Sequence, residues 1–553
     1  MEPTPESQHF DLGPQAVPLH EPVPLVTAAS RSRWRWLAWA IPLAGAAAVA
    51  WLFAHFVARY CFLGDDCFIS FRYAQNLVAG HGLVYNVGER VEGYTNFLWT
   101  LLMAAALWVE LPVELVANVL GIACGGAILA VLVWWGGRGG RWTEPWLWIA
   151  PLALAVNRTF CGWSTGGLET QCFALLVLSG ALIFLRERER NVRVPWGSAA
   201  CFALAALTRP EGLLFFGLTW LFFACDWLVL RRRTWRALAI WSALFGVVVG
   251  AHFLWRYSYY GQWLPNTFYA KVPGLWLDQG AAYLGFFVAD HWLVWALPGL
   301  VLVVVLRREL GTAYLLVLVL AFAAYLLCIG GDRFEFRFMT PVLPLLFWLL
   351  QDGLRALGAR PWRRMRTRVV VTLACVGAAV GLVWCAYRPN TLRYEERRGI
   401  AHLENMGAYA QWRTKEGLFL RELVDEGYLR DDTLIAVGGA GALPYYARLP
   451  ALDFRGLNDL RIAHQPITKR GVIAHEKVAT WEYLVERGVV MLDVWNTLVL
   501  PDGAPRPRTR SIDRDVYSGP IHCVLAKDRY LVFATTLSDE EFRRVFARFR
   551  IMF

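Results

Sequence analysis

Long apolar runs recur from Trp34 to Tyr387 and then stop. They fall near residues 34–60, 112–135, 144–157, 167–185, 196–207, 213–230, 234–256, 284–306, 311–329, 338–354 and 367–387. A helix of about 20 apolar residues crosses the ~30 Å hydrocarbon core of a bilayer, so the pattern predicts a mainly α, polytopic membrane protein with about eleven transmembrane helices. The stretch 94–110 is also apolar, and counting it as a span would invert every later loop. Charge decides against it. If it lies at the outer surface, Arg138/Arg141, Arg186/Arg188/Arg190, Arg231 to Arg233, Arg307/Arg308 and Arg363/Arg364/Arg366 all share the side of Arg31 and Arg33, as the positive-inside rule requires.

Residues 1–33 are rich in Pro and polar residues and read as a disordered cytoplasmic leader. The first apolar run begins too far along the chain for an ordinary cleaved signal and is expected to be a retained helix. Residues 34–387 form the membrane domain. Residues 388–553 are polar. They begin with a helical stretch, Tyr394 to Leu423, followed by short strand-like runs at 433–437, 489–494 and 530–534, which predicts an α/β or α+β domain. An inner start and an odd number of spans place that domain outside.

Composition sharpens the class. The chain is 57% hydrophobic and only 18% charged, a balance that excludes an ordinary soluble protein. Its net charge of +11 sits in short clusters between apolar runs. It is therefore a topology signal that meets lipid headgroups, and no nucleic-acid partner is expected. The 11 cysteines show no CxxC spacing and supply no metal framework.

The segments assigned to the outer face mix charges of both signs with Gly, Pro and aromatics. Asp65 and Asp66 follow the first span directly, and Arg72 and Glu92 lie further along the same loop. Glu169 lies in STGGLET, Arg209 and Glu211 lie in TRPEG, Lys271 ends LPNTFYAK, and Asp332, Arg333 and Arg337 lie in GGDRFEFRF. A charge beside hydrocarbon is costly unless it pairs or lines a polar cavity. Each residue alone reads as a hydrated helix end or a structural ion pair. As a set on one face they predict a polar pocket.

Soluble nucleotides are not available on the outer face, so an activated group arrives there on lipid, as a phosphate ester. Arg and Lys suit the phosphate, and a carboxylate can take the proton of an attacking hydroxyl. Arg209, Lys271, Arg333 and Arg337 are the phosphate-binding candidates by charge and side. In the tail, Asp453, Asn458, Asp459, His464 and His475 form a polar set expected to contact the acceptor. LIAVGGAGALPYY follows a strand but carries Pro444 and no full GxGxxG, so it reads as a tight turn.

The acidic pair in the first outer loop resembles the hallmark of the GT-C class of polyprenyl-phosphate-dependent glycosyltransferases. DDCFISFRYAQNLVAGHGLVYNVGERVEGYTNFLWTLLM is similar to the bacterial branch containing the mycobacterial terminal arabinofuranosyltransferases. The match rests on Asp65-Asp66, on Arg72, Asn76 and Leu77, and on Gly88 to Glu92; GYTNFLW departs from that branch. The resemblance implies a polyprenyl-phosphate sugar donor, inversion at the anomeric carbon, and a glycan or glycolipid acceptor at the bacterial cytoplasmic membrane. Asp65 and Asp66 are then the base candidates. No cofactor is implied with certainty, and a divalent metal is compatible with the class. A transporter or flippase of a lipid-linked glycan is the rival reading, but one-sided charge and the lack of an internal repeat favour the enzyme.

Overall fold

The computed structural model describes residues 35–230, 234–271, 274–291, 303, 307–358, 365–387, 398–467, 475–493, 497–500 and 521–552. The leader 1–33 with Arg31 and Arg33, the clusters Arg231 to Arg233 and Arg363/Arg364, most of the run 284–306 and the first residues of the tail lie outside these.

The membrane part comprises α1 (Arg35–Arg59), α2 (Cys67–Val78), α3 (Phe97–Trp108), α4 (Val113–Gly137), α5 (Ile149–Ala155), α6 (Arg158–Gly162), α7 (Thr170–Glu189), α8 (Trp196–Thr208), α9 (Gly212–Leu228), α10 (Trp235–Tyr260), α11 (Asn266–Lys271), α12 (Leu277–Asp290), α13 (Leu310–Ile329), α14 (Leu343–Gly358) and α15 (Met365–Tyr387). Among the described residues, 6 helices are long and apolar enough to cross a membrane: α1, α4, α7, α10, α13 and α15. The runs at 144–157, 196–207 and 213–230 form shorter apolar helices, and the run at 338–354 forms α14, of 16 residues.

The stretch 94–110 forms α3, only 12 residues long. At 1.5 Å per residue it reaches about 18 Å, short of the hydrocarbon thickness. It packs along α2 and ends where Glu110 adopts a left-handed conformation, just ahead of Pro112.

The tail begins with α16 (Leu403–Asp425) and continues with β1 (Ile435–Val437), α17 (Ala442–Ala447), β2 (Ala451–Asp453), α18 (Leu460–Ala463), α19 (Trp481–Glu486), β3 (Met491–Leu492), β4 (His522–Ala526), β5 (Arg529–Phe533), α20 (Asp539–Val545) and β6 (Arg550–Met552). A parallel sheet runs β2-β1-β3, with Ile435 opposite Ala451 and Met491, and an antiparallel sheet runs β5-β4-β6. Both sheet types occur, as the α/β or α+β expectation held.

Tyr73, Tyr85, Tyr94 and Tyr260 of the outer loops share one apolar core with Phe419, Leu420, Ile435 and Leu443 of the tail. The two parts are also pinned by charge. The Arg158 guanidinium donates to Glu335 at 2.6 and 2.9 Å and to Glu404 at 2.7 and 2.6 Å, and Glu335 also accepts from the Leu403 N–H at 3.0 Å. Burial pushes the Glu335 carboxyl up, but Arg158 outweighs it and holds the group at about 2. The tail is thereby fixed against the start of α6 and the loop that follows α13.

Candidate functional site

Asp66 is the N-cap of α2 yet makes no side-chain capping bond. An aspartate in that position ordinarily caps the first turn; here the carboxylate lines a cavity instead. Asp65 turns the other way. Its Oδ1 accepts the Ala442 N–H at 2.8 Å, at the start of α17. The glycine-rich loop before α17 therefore lies on the acidic pair. A Cβ on Gly441 would overlap the Asp65 backbone oxygen and carboxylate, and one on Gly439 would lie 2.5 Å from the Tyr409 hydroxyl and 3.2 Å from Asp65 Oδ2. Gly438, Gly439 and Gly441 are not among the glycines with positive φ. The tight-turn reading is corrected: glycine is required by close approach, not by backbone conformation.

Two chambers meet at Asp66. The first, of about 280 Å³, holds Asp66, Glu169, Arg209, Glu211, Lys271, Asp332, Arg333 and Arg337. Exposed Leu264 and Phe268 and residues of the apolar helix α13 such as Tyr325 and Ile329 also line it. Most of its charges are paired. Arg209 donates to Glu169 at 2.6 Å and to Glu211 at 2.8 and 3.1 Å, and Asn96 supports Glu169 at 2.7 Å. Arg337 donates to Asp332 at 2.8 Å. Among the described residues, Lys271 and Arg333 have no carboxylate ion pair. Burial pushes the Asp66 carboxyl up, but Lys271, Arg333 and Arg337 together hold it below its ordinary range. Burial lowers the Lys271 ammonium, opposed by Asp66.

The second chamber, of about 510 Å³, lies between the outer loops and α16. It is lined by Asp65, Asp66, Trp163, Phe334, Asn405 and Tyr409, among others. Phe334 lines both chambers and carries the guanidinium carbons of Arg333 at 4.7 Å and Arg337 at 4.8 Å over its ring, which steers both cations. Burial raises Asp65 to about 6, partly offset by the Ala442 N–H and reinforced by the charge of Asp66. The adjacent carboxyls are thus driven apart. A small recess adds Asp453, Arg455 and His475 beside Asp66, Lys271 and Arg333. His475 contacts the Arg333 guanidinium, and burial with Arg333, Arg455 and Lys271 lowers it to about 2, so it is a neutral partner.

Of the residues singled out from sequence, Asp65, Asp66, Glu169, Arg209, Glu211, Lys271, Asp332, Arg333, Arg337, Asp453 and His475 line these spaces. Arg72 does not. It donates to the carbonyls of Tyr85, Pro444 and Leu449 and to Asn86, tying α2 to the tail. Glu92 pairs with Arg256 and holds the end of α10. Asn458 braces β2 through Ala451 and Asp453, Asp459 caps α18 and accepts from Tyr483 at 2.6 Å, and exposed His464 stacks on Tyr269. These five therefore leave the candidate site: their hydrogen-bonding groups or faces are committed to holding the scaffold. Arg455, Tyr409, Asn405, Trp163 and Phe334 were missed. The clustered glycines at 438–441 were the available signal for a close approach, but nothing local marks α16 as a wall. Among the described residues no group of three or more His, Cys, Asp or Glu is placed to hold a metal.

Residues 402–533 match a family described only as a domain of unknown function, DUF8728. The chain is 28% identical over 361 residues to the terminal β-(1→2)-arabinofuranosyltransferase of Mycobacterium tuberculosis, covering 61% of this chain and 54% of that protein. It is 26% identical over 385 residues to the enzyme of the same name from Corynebacterium glutamicum, covering 58% and 52%. The chain spans about half the length of the curated relatives it matches. In fold it is similar to ArnT from Cupriavidus metallidurans bound to undecaprenyl phosphate, with a TM-score of 0.56 and 12% identity over 92% of this chain and 99% of that one. The apo form of ArnT gives a TM-score of 0.50 at 14% identity, over 76% and 86%. The architecture is therefore GT-C-like: a multi-pass helical membrane part with an α/β tail on it.

Proposed function

We propose that the protein is a membrane glycosyltransferase that moves a sugar from a polyprenyl-phosphate donor to a hydroxyl of a cell-envelope glycan or glycolipid, on the extracytoplasmic side of the cytoplasmic membrane. One observation carries the reading. Lys271 and Arg333, which have no carboxylate ion pair among the described residues, stand beside Asp66 in a chamber that exposed Leu264 and Phe268 also line. That is the arrangement a lipid-borne phosphodiester requires. The likeness in sequence to arabinofuranosyltransferases and in fold to ArnT supports it.

In this reading Asp65 is the general base. Its pKa near 6 makes it the stronger base of the pair and leaves it ionised at neutral pH. It takes the proton of the acceptor hydroxyl as that oxygen bonds to the anomeric carbon. The bond from that carbon to the phosphate oxygen breaks with its electron pair, and polyprenyl phosphate departs with one more negative charge. Lys271 and Arg333 stabilise that charge. Attack opposite the phosphate inverts the anomeric centre. Asp66, in the same chamber, balances the charge of the two cations between turnovers. The test is sugar transfer from synthetic polyprenyl-phosphoryl donors in reconstituted vesicles. If folded Asp65→Asn and Asp66→Asn proteins both transfer like wild type, the reading is wrong. Movement of intact lipid-linked glycan across the vesicle without transfer would establish the transporter instead.

A further inference from the structure

The two chambers differ in what surrounds their mouths. The one holding Lys271 opens past exposed Leu264 and Phe268. The larger one opens along α16, where Asn405 and Ala408 are exposed, and its inner wall carries Tyr409, Trp163 and Phe334. Trp163 is fixed by a 2.8 Å bond from its Nε1 to the Glu335 carbonyl and packs 6.1 Å from Phe334, centroid to centroid. A sugar presents apolar C–H faces as well as hydroxyls, and a pocket with aromatic walls, a few polar groups and a wet mouth matches both. Asp65 lines this chamber and not the one that holds Lys271.

We infer that the chamber between α16 and the outer loops is the acceptor site, and that it takes the saccharide end of a glycan directly from water, with no lipid on the acceptor required for binding. The inference rests on the glycosyl transfer proposed above. Inverting displacement needs acceptor and leaving group on opposite sides of the anomeric carbon, and chambers that meet at Asp66 provide two such sides. Much of the acceptor wall, including Asn405, Ala408, Tyr409 and Gly439, belongs to the matched domain of unknown function. This assigns that domain a role in acceptor binding.

The test uses the full chain in vesicles, with farnesyl-phosphoryl sugars as donors and water-soluble methyl oligosaccharides as acceptors. Ala408→Trp narrows the wet mouth from an exposed helix position, and Phe268→Ala alters the lining of the chamber that holds Lys271. Calorimetric binding of farnesyl phosphate reports the donor site without turnover. The expected result is transfer to the soluble oligosaccharides, with the acceptor KM raised about tenfold or more by Ala408→Trp while farnesyl phosphate binds as to wild type; a tenfold change corresponds to 1.4 kcal/mol. Phe268→Ala should do the reverse. Transfer confined to lipid-anchored acceptors, or an unchanged acceptor KM in folded Ala408→Trp, overturns the acceptor site while leaving glycosyl transfer standing. No transfer from any donor to soluble or lipid-anchored acceptors overturns both.

Discussion

The carboxylate of Asp65 accepts a 2.8 Å hydrogen bond from the backbone N–H of Ala442, across 377 positions of chain. The carboxylate proposed as the base is thus oriented by a backbone group of the tail.

Asparagine at position 65 keeps an oxygen for Ala442 but removes the carboxylate proposed as the base. Asp65→Asn is therefore expected to fold normally and lose about 10²- to 10⁴-fold in kcat. Asp66→Asn, which leaves the base but unbalances Lys271 and Arg333, should act mainly on donor KM. Steady-state kinetics with both substrates varied checks the split.

Ionisation of Asp65 gives the pH dependence a sign. The base works deprotonated, so kcat/KM should rise with pH and level off above about 6. Stability runs the other way. A carboxyl raised from 3.8 to about 6 holds its proton more tightly when folded, so its contribution is full below 3.8 and is lost as pH rises through about 6. Asp453, also raised by burial to about 6, adds the same slope. His475, lowered by burial from 6.5 to about 2, contributes the opposite slope, so the Asp65 share is read as the difference in thermal unfolding between wild type and Asp65→Asn, which should fall across this range while wild-type kcat/KM rises.

Lys271 and Arg333 are each expected to donate charge-assisted bonds to the donor phosphate, worth about 1.5–3 kcal/mol apiece. Lys271→Gln and Arg333→Gln should each weaken farnesyl phosphate binding by roughly 10- to 150-fold, measured by calorimetry. Equal binding in both variants would remove the phosphate from this chamber.

Gly441→Ala places a methyl group onto Asp65. Overpacking of this kind costs about 1–3 kcal/mol, and relief requires the loop or the carboxylate to move. Lower thermal stability and a fall in kcat larger than that of Gly217→Ala, where a Cβ meets nothing within 4 Å, are expected.

Arg413 is fully buried in α16, donating at 2.7 Å to both Glu416 and Asp493, while Glu416 accepts the N–H groups of Leu498 and Val499. Removing one partner of a buried pair costs about 3–5 kcal/mol. Arg413→Met should lower the denaturant midpoint accordingly, and circular dichroism in detergent checks it.

The membrane class, the helical character of the apolar runs and the acidic pair after the first span were legible in the sequence, because each follows from local composition and spacing; the sidedness of the Arg clusters is an expectation from the same composition. A 12-residue helix cannot cross a bilayer wherever it sits. Arg72 and Glu92 were indistinguishable in sequence from Arg333 and Glu169, since a charge does not announce whether a carbonyl, another charge or a cavity will face it. Only the tertiary structure decided that. It likewise separated Asp65 from Asp66, two neighbours of one chemistry, because burial and the Ala442 N–H of the tail act on the first while Lys271 and Arg333, from loops distant in sequence within the membrane part, act on the second, and only the fold brings these groups together.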